Sequence, residues 1–270
     1  MKGLIGKMSH LIETEHLTIY FGGLAAVNEV DFHMEKEEVV GLIGPNGSGK
    51  TTLFNLLTGI YKPTGGEIRY QGENLLGLPA FEIAKKGIAR TFQNNRLFLK
   101  LSVLDNVLVG MNRHQDSNWF DAIFRRRYVE RENHRGVEKA IELLSRFSQE
   151  LAENCYKQAI DLPQGDMRKV EICRALASDP KLLLLDEPSA GMSPEETEEL
   201  MEDIRKVRNR MEEIGIIIIE HDMLVIKEIA QRVIVLNYGR KIAEGSFEEV
   251  SKDEHVLEAY LGREEKHTTA

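Results

Sequence analysis

The spacing of apolar positions changes several times along the chain, and each change predicts an element. From Leu11 to Met34 apolar and polar residues alternate: Leu17, Ile19 and Phe21, then Val27, Val30 and Phe32, with Gly22 and Gly23 between them. Alternation marks half-buried strands, and the glycine pair predicts a hairpin. EVVGLIG (38–44) is a short continuous apolar run, read as a strand ending in a Gly-rich loop. KTTLFNLLTG (50–59) has helical spacing with Gly59 as its stop. EIRYQG (67–72) reads as a further strand. From about residue 100 to 178 the pattern turns helical. Ser102 can cap VLDNVLVGM, and Val137, Ala140, Ile141, Leu144 and Phe147 share one helix face. A third helix is predicted from about Met167 to Ser178. Strands then return with KLLLLD (181–186), GIIIIEH (215–221) and the hairpin RVIVLNYGRKIAEG (232–245). Ser193-Pro194-Glu195-Glu196 reads as a capping box with proline at the first helical position. The helix it opens places Leu200, Ile204, Val207, Met211 and Ile214 on one face. Strand, helix, strand with continuously apolar strands predicts a parallel α/β core. The expected organisation is a leader over 1–10, one domain over 11–262 with a helical insertion at about 100–178, and a tail over 263–270.

Composition narrows the class. Lys plus Arg is 35 against 44 Asp plus Glu, a net charge of −9. Such an acidic balance argues against a surface built to grip nucleic acid. Hydrophobic residues are 42% and charged residues 29%, proportions of a folded globular chain rather than a disordered one. The longest aliphatic runs, Leu182–Leu185 and Ile216–Ile219, fall far short of the ~20 apolar residues a membrane span requires. No signal-peptide pattern is present at the N-terminus. Cys155 and Cys173 show no CxxC spacing and no His cluster beside them, so they read as reduced cytosolic thiols with no metal role.

Gly44-Pro45-Asn46-Gly47-Ser48-Gly49-Lys50-Thr51 matches GxxxxGK[ST] without a mismatch, after a strand and before a helix. Glycines let backbone N–H groups turn toward phosphates, and the helix start adds a partial positive charge. Lys50 reaches the β- and γ-phosphates, and the Thr51 hydroxyl can ligate Mg²⁺. Alone this motif fits kinases, GTPases and motor ATPases as well. Four features narrow it. Leu182–Leu185 followed by Asp186-Glu187 is a buried strand ending in two carboxylates, the first suited to Mg²⁺ and the second to polarising water. Gln93 in RTFQN places a neutral amide where it can sense Mg²⁺. His221 ends an apolar strand where open α/β sheets bind ligands; a helix-capping histidine is the alternative. LPQGDMRKVEICRAL (162–176) is a Gly-containing turn opening a helix, another anion-accepting arrangement.

In this order and over nearly its whole length, the chain resembles an ABC transporter ATP-binding subunit. FGGLAAVNEV (21–30), RTFQNNRLF (90–98), VLDNVLVG (103–110), SAGMSPEET (189–197), EHDM (220–223), YGRKIAEG (238–245) and VLEAYLG (256–262) are similar to the branched-chain amino acid importer group. The resemblance implies a P-loop ABC-type α/β fold, with a RecA-like parallel core, an antiparallel β subdomain and an inserted α-helical subdomain. It implies ATP as substrate with Mg²⁺. Phe21 would stack on adenine, with Tyr20 as its rival, and Val27 would pack beside the base. Gly44 to Thr52 (Gly44, Pro45, Asn46, Gly47, Ser48, Gly49, Lys50, Thr51, Thr52) would hold the phosphates. Thr51 and Gln93 would bind Mg²⁺ with Asp186 in its outer shell. Glu187 would be the general base and His221 the γ-phosphate sensor. Ser189–Met192 would cross a dimer interface. Partners would be a second ATPase subunit, either a second copy or, in preference, a different chain, and membrane permease subunits touched by the insertion and the segment after Gln93. The location would be the cytoplasmic face of the membrane, peripherally. Urea, amide or lipopolysaccharide transporters, and a soluble non-transport ATPase, share most of these motifs.

One departure stands out. Where the family has LSGGQ or close to it, this chain has Leu162-Pro163-Gln164-Gly165-Asp166. Pro163 lacks both the hydroxyl and the N–H that would meet a γ-phosphate. Asp166 adds a carboxylate near an anionic ligand. The signature is therefore expected to serve catalysis poorly. Arg125, Arg126, Arg127, Arg131 and Arg135 form a local basic run, read as a solvated helix face or as a contact for an acidic partner or lipid headgroups. Trp119 and Phe120 beside it could be a docking patch or helical core.

Overall fold

The computed structural model describes residues 10–93, 96–111, 126–211 and 213–261, without the side chains at 126–132 and 210. The leader before His10, Trp119, Phe120, Arg125, the side chains of Arg126, Arg127 and Arg131, and the tail at 263–270 lie outside the described residues. The chain falls into two compact units: one holds residues up to 84 and from 215 onward, the other 85–214.

In the first unit, β1 (Ile12–Phe21) and β2 (Leu24–Met34) pair antiparallel about the glycine turn, as the alternation predicts. β3 (Val39–Ile43) is buried at every residue, which its unbroken apolar run requires. It leads through the Gly-rich loop into α1 (Lys50–Leu57). The stop is a Schellman motif: the N–H of Gly59 donates to the carbonyl of Leu56, and that of Ile60 to the carbonyl of Asn55. β4 (Gly65–Tyr70) pairs with β1 and β5 (Glu73–Asn74) with β4, giving an antiparallel sheet in the order β2-β1-β4-β5. α2 (Ala80–Lys86) reaches the boundary between units.

In the second unit, β6 (Ile88–Arg90) and β7 (Leu182–Asp186) pair in parallel, Arg90 opposite Leu184. Between them run α3 (Val103–Gly110), α4 (Arg126–Phe147), α5 (Gln149–Glu153) and α6 (Gln164–Leu176). Ser102 caps α3 in a reciprocal box with Asp105. Ala140, Leu144 and Phe147 are buried on α4, while Val137 and Ile141 sit at its edge. α6 begins at Gln164, earlier than the expected Met167, because Pro163 takes the N-cap position and Gly165 is absorbed into the first turn. α7 (Pro194–Arg210) opens with the expected capping box at Ser193 and Glu196 and buries Leu200, Ile204 and Val207. The periodicity overshoots its end. Met211 is already extended at the C-cap, and Ile214 is buried ahead of the next strand rather than on the helix.

The first unit resumes with β8 (Gly215–Ile219), α8 (Met223–Ile229), β9 (Arg232–Asn237), β10 (Arg240–Gly245), α9 (Phe247–Val250) and α10 (Glu254–Leu261). β8 and β9 flank β3 in parallel, and β10 closes the expected hairpin on β9. Ile216–Ile219 are at most 2% exposed, and burying each such side chain is worth about 1.5–3 kcal/mol. This core fixes the carboxyl ends of β3 and β8 side by side. Among the described residues no helix is long and apolar enough to cross a membrane.

Candidate nucleotide site

The first unit carries the phosphate loop. Leu42 on β3 is opposite Ile219 on β8, so Gly44 and His221, two residues beyond each, leave the sheet at the same level. The loop is held by its own backbone and by the turn between β9 and β10, which β2 holds in turn. Ser48 N–H donates to the Pro45 carbonyl, Gly239 N–H to that of Ser48, and Asn28 N–H to that of Gly239. The Lys50 ammonium, 6% exposed, lies across the loop and donates to the carbonyls of Gly44 (2.6 Å) and Pro45 (3.1 Å). The Ser48 hydroxyl oxygen is buried and has no hydrogen-bond partner among the described residues. Thr51 is exposed and Thr52 partly so at the start of α1. No side chain caps that helix start: its N-cap is Gly49, in the left-handed region at φ +106°. The first-turn N–H groups are thus left to an incoming anion.

Gly49 is required twice over. A Cβ there would stand 2.4 Å from the carbonyl oxygen of Ala26, and its φ already disfavours any L side chain. Gly49→Ala is expected to cost roughly 1–3 kcal/mol of strain and to weaken ATP binding, measured by urea unfolding and by nucleotide titration.

Phe21 closes β1 and is 46% exposed. Its ring meets Tyr61 edge to face, centroids 5.3 Å apart. Tyr61, just past the end of α1, is an aromatic partner that the sequence reading missed; no motif marks it. Tyr20 is also exposed, whereas Val27 is fully buried on the inner face of β2. His221 is exposed, in the turn between β8 and α8, and Asp222 rather than His221 caps α8 by accepting from the Leu224 N–H.

The second unit carries the carboxylates. Asp186 ends β7 at 1% exposure, with Arg90 donating to its Oδ2 at 2.7 Å. Its Oδ1 is buried without a partner among the described residues. Burial pushes the Asp186 carboxyl above the usual range, opposed by Arg90 and reinforced by Glu187. Glu187 follows in the left-handed region at φ +48°. The Gln93 amide Nε2 donates to Glu187 Oε2 at 2.8 Å. The structure therefore joins Gln93, Asp186 and Glu187 in one cluster, with Arg90 as a member not anticipated. The Gln93 segment is itself held from α6. Buried Arg168 donates to the carbonyls of Phe92 and Gln93, and Glu171 accepts from both Arg168 and the Phe92 N–H. The signature helix and the Gln93 loop are thus one hydrogen-bonded body.

The signature itself is acidic. Asp166 lies in the first turn of α6 behind Pro163, which offers no side-chain cap. Its carboxyl is pushed up by burial, opposed by Lys169 and reinforced by Glu150, Glu199 and Glu196. Gln164 packs so closely on Gly191 that its Nε2 is 2.8 Å from where a Cβ would stand.

A phosphate loop with its lysine, a strand-end carboxylate pair and a glutamine bound to the second carboxylate define a P-loop nucleoside triphosphatase. Comparison places it further. The ABC transporter family model matches residues 27–190, and the branched-chain amino acid ATP-binding cassette transporter model matches residues 240–266. The chain is 41% identical over 252 residues to the high-affinity branched-chain amino acid transport ATP-binding protein BraF of Pseudomonas aeruginosa, covering 93% of this chain and 98% of that one. It is 42% identical, with the same coverage, to LivG of Salmonella typhimurium, which bears the same description. A nucleotide-free ATP-binding cassette from an ABC transporter superposes with a TM-score of 0.80 at 30% identity, covering 94% of this chain and all of the other. The chain belongs to the ATP-binding subunits of ABC transporters, ATPases whose hydrolysis is coupled to transport, in agreement with the motifs of its sequence.

Proposed function

We propose that this chain is the ATPase subunit of an importer of branched-chain amino acids, seated peripherally on the cytoplasmic face of the membrane. The observation that carries the reading is the C-terminal segment 240–266, whose family model is specific to that group, alongside an intact ATPase set. Phe21 stacks on the adenine, with Val27 supporting the strand from beneath. Gly44 to Thr52 cradle the phosphates. Glu187 accepts the proton of the attacking water, and Gln93 fixes the Glu187 carboxylate. Lys50 and His221 meet the charge that develops on the γ-phosphoryl group. Each unit by itself carries oxygen donors of the kind Mg²⁺ selects: the exposed Thr51 hydroxyl in the first, and the Gln93 amide and, through water, the unpartnered Oδ1 of Asp186 in the second. Mg²⁺ would supply charge neutralisation on the phosphates.

Partners are membrane permease subunits and a second ATPase chain, a different one in preference to a second copy. Phe98, Leu99, Leu101, Tyr156 and Ile160 are exposed apolar side chains around the start of α3, a surface suited to a permease segment. Deleting this chain should abolish uptake of labelled leucine, isoleucine and valine, and the intact chain, but not Lys50→Ala, should restore it. Undiminished uptake in the deletion would refute the assignment of substrate.

The different partner is favoured by the signature. Pro163 offers no hydroxyl or N–H, and Asp166 has the carboxylates of Glu150, Glu196 and Glu199 near it against the one ammonium of Lys169, so this face is poorly suited to a γ-phosphate bound by the opposite subunit. The double change Pro163→Ser with Asp166→Gln should raise hydrolysis by the assembled transporter severalfold in a phosphate-release assay. An unchanged rate counts against an impaired signature.

A further inference from the structure

The outer face of β2 carries Asp31 and His33, and Glu35 follows the strand directly; all three are exposed, in alternation with buried Phe32 and Met34. Period two puts the His33 and Glu35 side chains on one face. His10 is brought to the same place by the start of β1. The Leu11 N–H donates to the Met34 carbonyl at 2.7 Å, and Ile12 lies opposite Met34. The result is a cluster that no sequence spacing announces, since the two histidines stand 23 positions apart. The imidazole rings of His10 and His33 lie 4.4 Å apart, tilted by 36°. Nδ1 of His10 is 2.5 Å from Oε1 of Glu35. One ligand atom from each of the three side chains lies within 4.8 Å of the others.

We propose that His10, His33 and Glu35 form a binding site for a divalent transition-metal ion, zinc foremost. Two imidazoles and one carboxylate are the ligand chemistry that zinc takes with a fourth position left to water. A His10–Glu35 ion pair alone accounts for two members of the cluster but gives no reason for a second imidazole against the first. A shared cation gives the second ring a role, since each imidazole offers a nitrogen ligand beside the carboxylate. The surroundings favour a cation. Glu13 is directly opposite His33, and Asp31 precedes it on the same face. Arg232 approaches only through the His33 carbonyl and is bound to Glu38 and Glu244. The cluster sits at the entry to β3, whereas the phosphate loop leaves its other end, about 16 Å away at strand rise. A bound ion would clip the residue leading into β1 to the end of β2 and the residue after it.

The test uses the full chain, stripped with a chelator and free of nucleotide. Co²⁺ is titrated as the spectroscopic probe, and Zn²⁺ by calorimetry. The expected result is one equivalent bound, with visible ligand-field bands, displaced by Zn²⁺. His10→Gln and His33→Gln should each weaken binding by at least about tenfold while circular dichroism shows the fold retained. Zn²⁺ should raise the unfolding temperature of the wild type and not of the double variant. Absence of one-to-one binding overturns the proposal. So does binding that survives in the double variant, binding that requires ATP, or a thiolate charge-transfer band, which would assign the ion to Cys155 or Cys173.

Discussion

Glu187→Gln should lower steady-state ATP hydrolysis by about 10²–10⁴-fold while leaving ATP binding intact. The substitution is isosteric. It preserves the position held by the Gln93 amide 2.8 Å from Oε2 but removes the only function a neutral amide cannot supply, acceptance of the water's proton. The backbone at φ +48° makes the residue's placement a property of the turn and not of its side chain, so the variant should retain the local geometry. The glutamine amide cannot take up the water's proton, so unhydrolysed ATP should accumulate on the chain. If this signature still closes on ATP, a species of twice 30.7 kDa should appear in solution only with ATP and Mg²⁺. If Pro163 and Asp166 prevent closure, the variant binds ATP as a persistent monomer, and a different ATPase chain must restore the dimer. Hydrolysis within a few-fold of wild type would remove Glu187 from the role of base.

What the sequence made legible were features whose partners are near in sequence. The β1–β2 hairpin needs only alternation and Gly22-Gly23. The end of α1 needs only Gly59. The caps at Ser102 and Ser193 need an acid three residues on, and both form. The phosphate loop is contiguous, so its residues and roles could be read together. The missed features all join distant segments. Arg90 meets Asp186 across 96 positions, Arg168 meets the Gln93 carbonyl across 75, and His10 meets Glu35 across 25. Tyr61 comes to Phe21 because the segment after α1 leads into β4, which pairs with β1, and no local period records that. Where periodicity overreached, at Met211 and Ile214, the helix had already ended, and an apolar residue entering a buried strand mimicked one more turn.

Arg90→Ala should be the most destabilising single change in the second unit, at about 3–5 kcal/mol. Arg90 and Asp186 side chains are 5% and 1% exposed, and their bond of 2.7 Å ties β6 to the end of β7. Arg90 also lies over the Phe92 ring, its guanidinium carbon 5.0 Å from the centroid. Truncation leaves a carboxylate buried beside Glu187 without its hydrogen-bonded cation, Arg168 remaining as a weaker electrostatic counterweight. At two to four degrees per kcal/mol for a chain of this size, the unfolding temperature should fall by roughly 6–20 °C. The sign of the pH dependence follows from Asp186. Its folded carboxyl already sits above the ordinary value, so the folded state holds that proton more tightly than the unfolded chain. That stabilising increment is fully present below the unfolded pKa and is lost as pH rises through the folded one. Without Arg90 the folded pKa rises further, so the variant's deficit should shrink as pH is lowered toward and below that value. Adding Asp186→Asn to Arg90→Ala removes the buried charge and should recover part of the stability at neutral pH, though not hydrolysis. Thermal melts of the two variants across pH, with and without ATP and Mg²⁺, decide the matter. An Arg90→Ala protein as stable as wild type at neutral pH would mean that water or another group neutralises Asp186, and that the ion pair is not what holds the carboxylate in place.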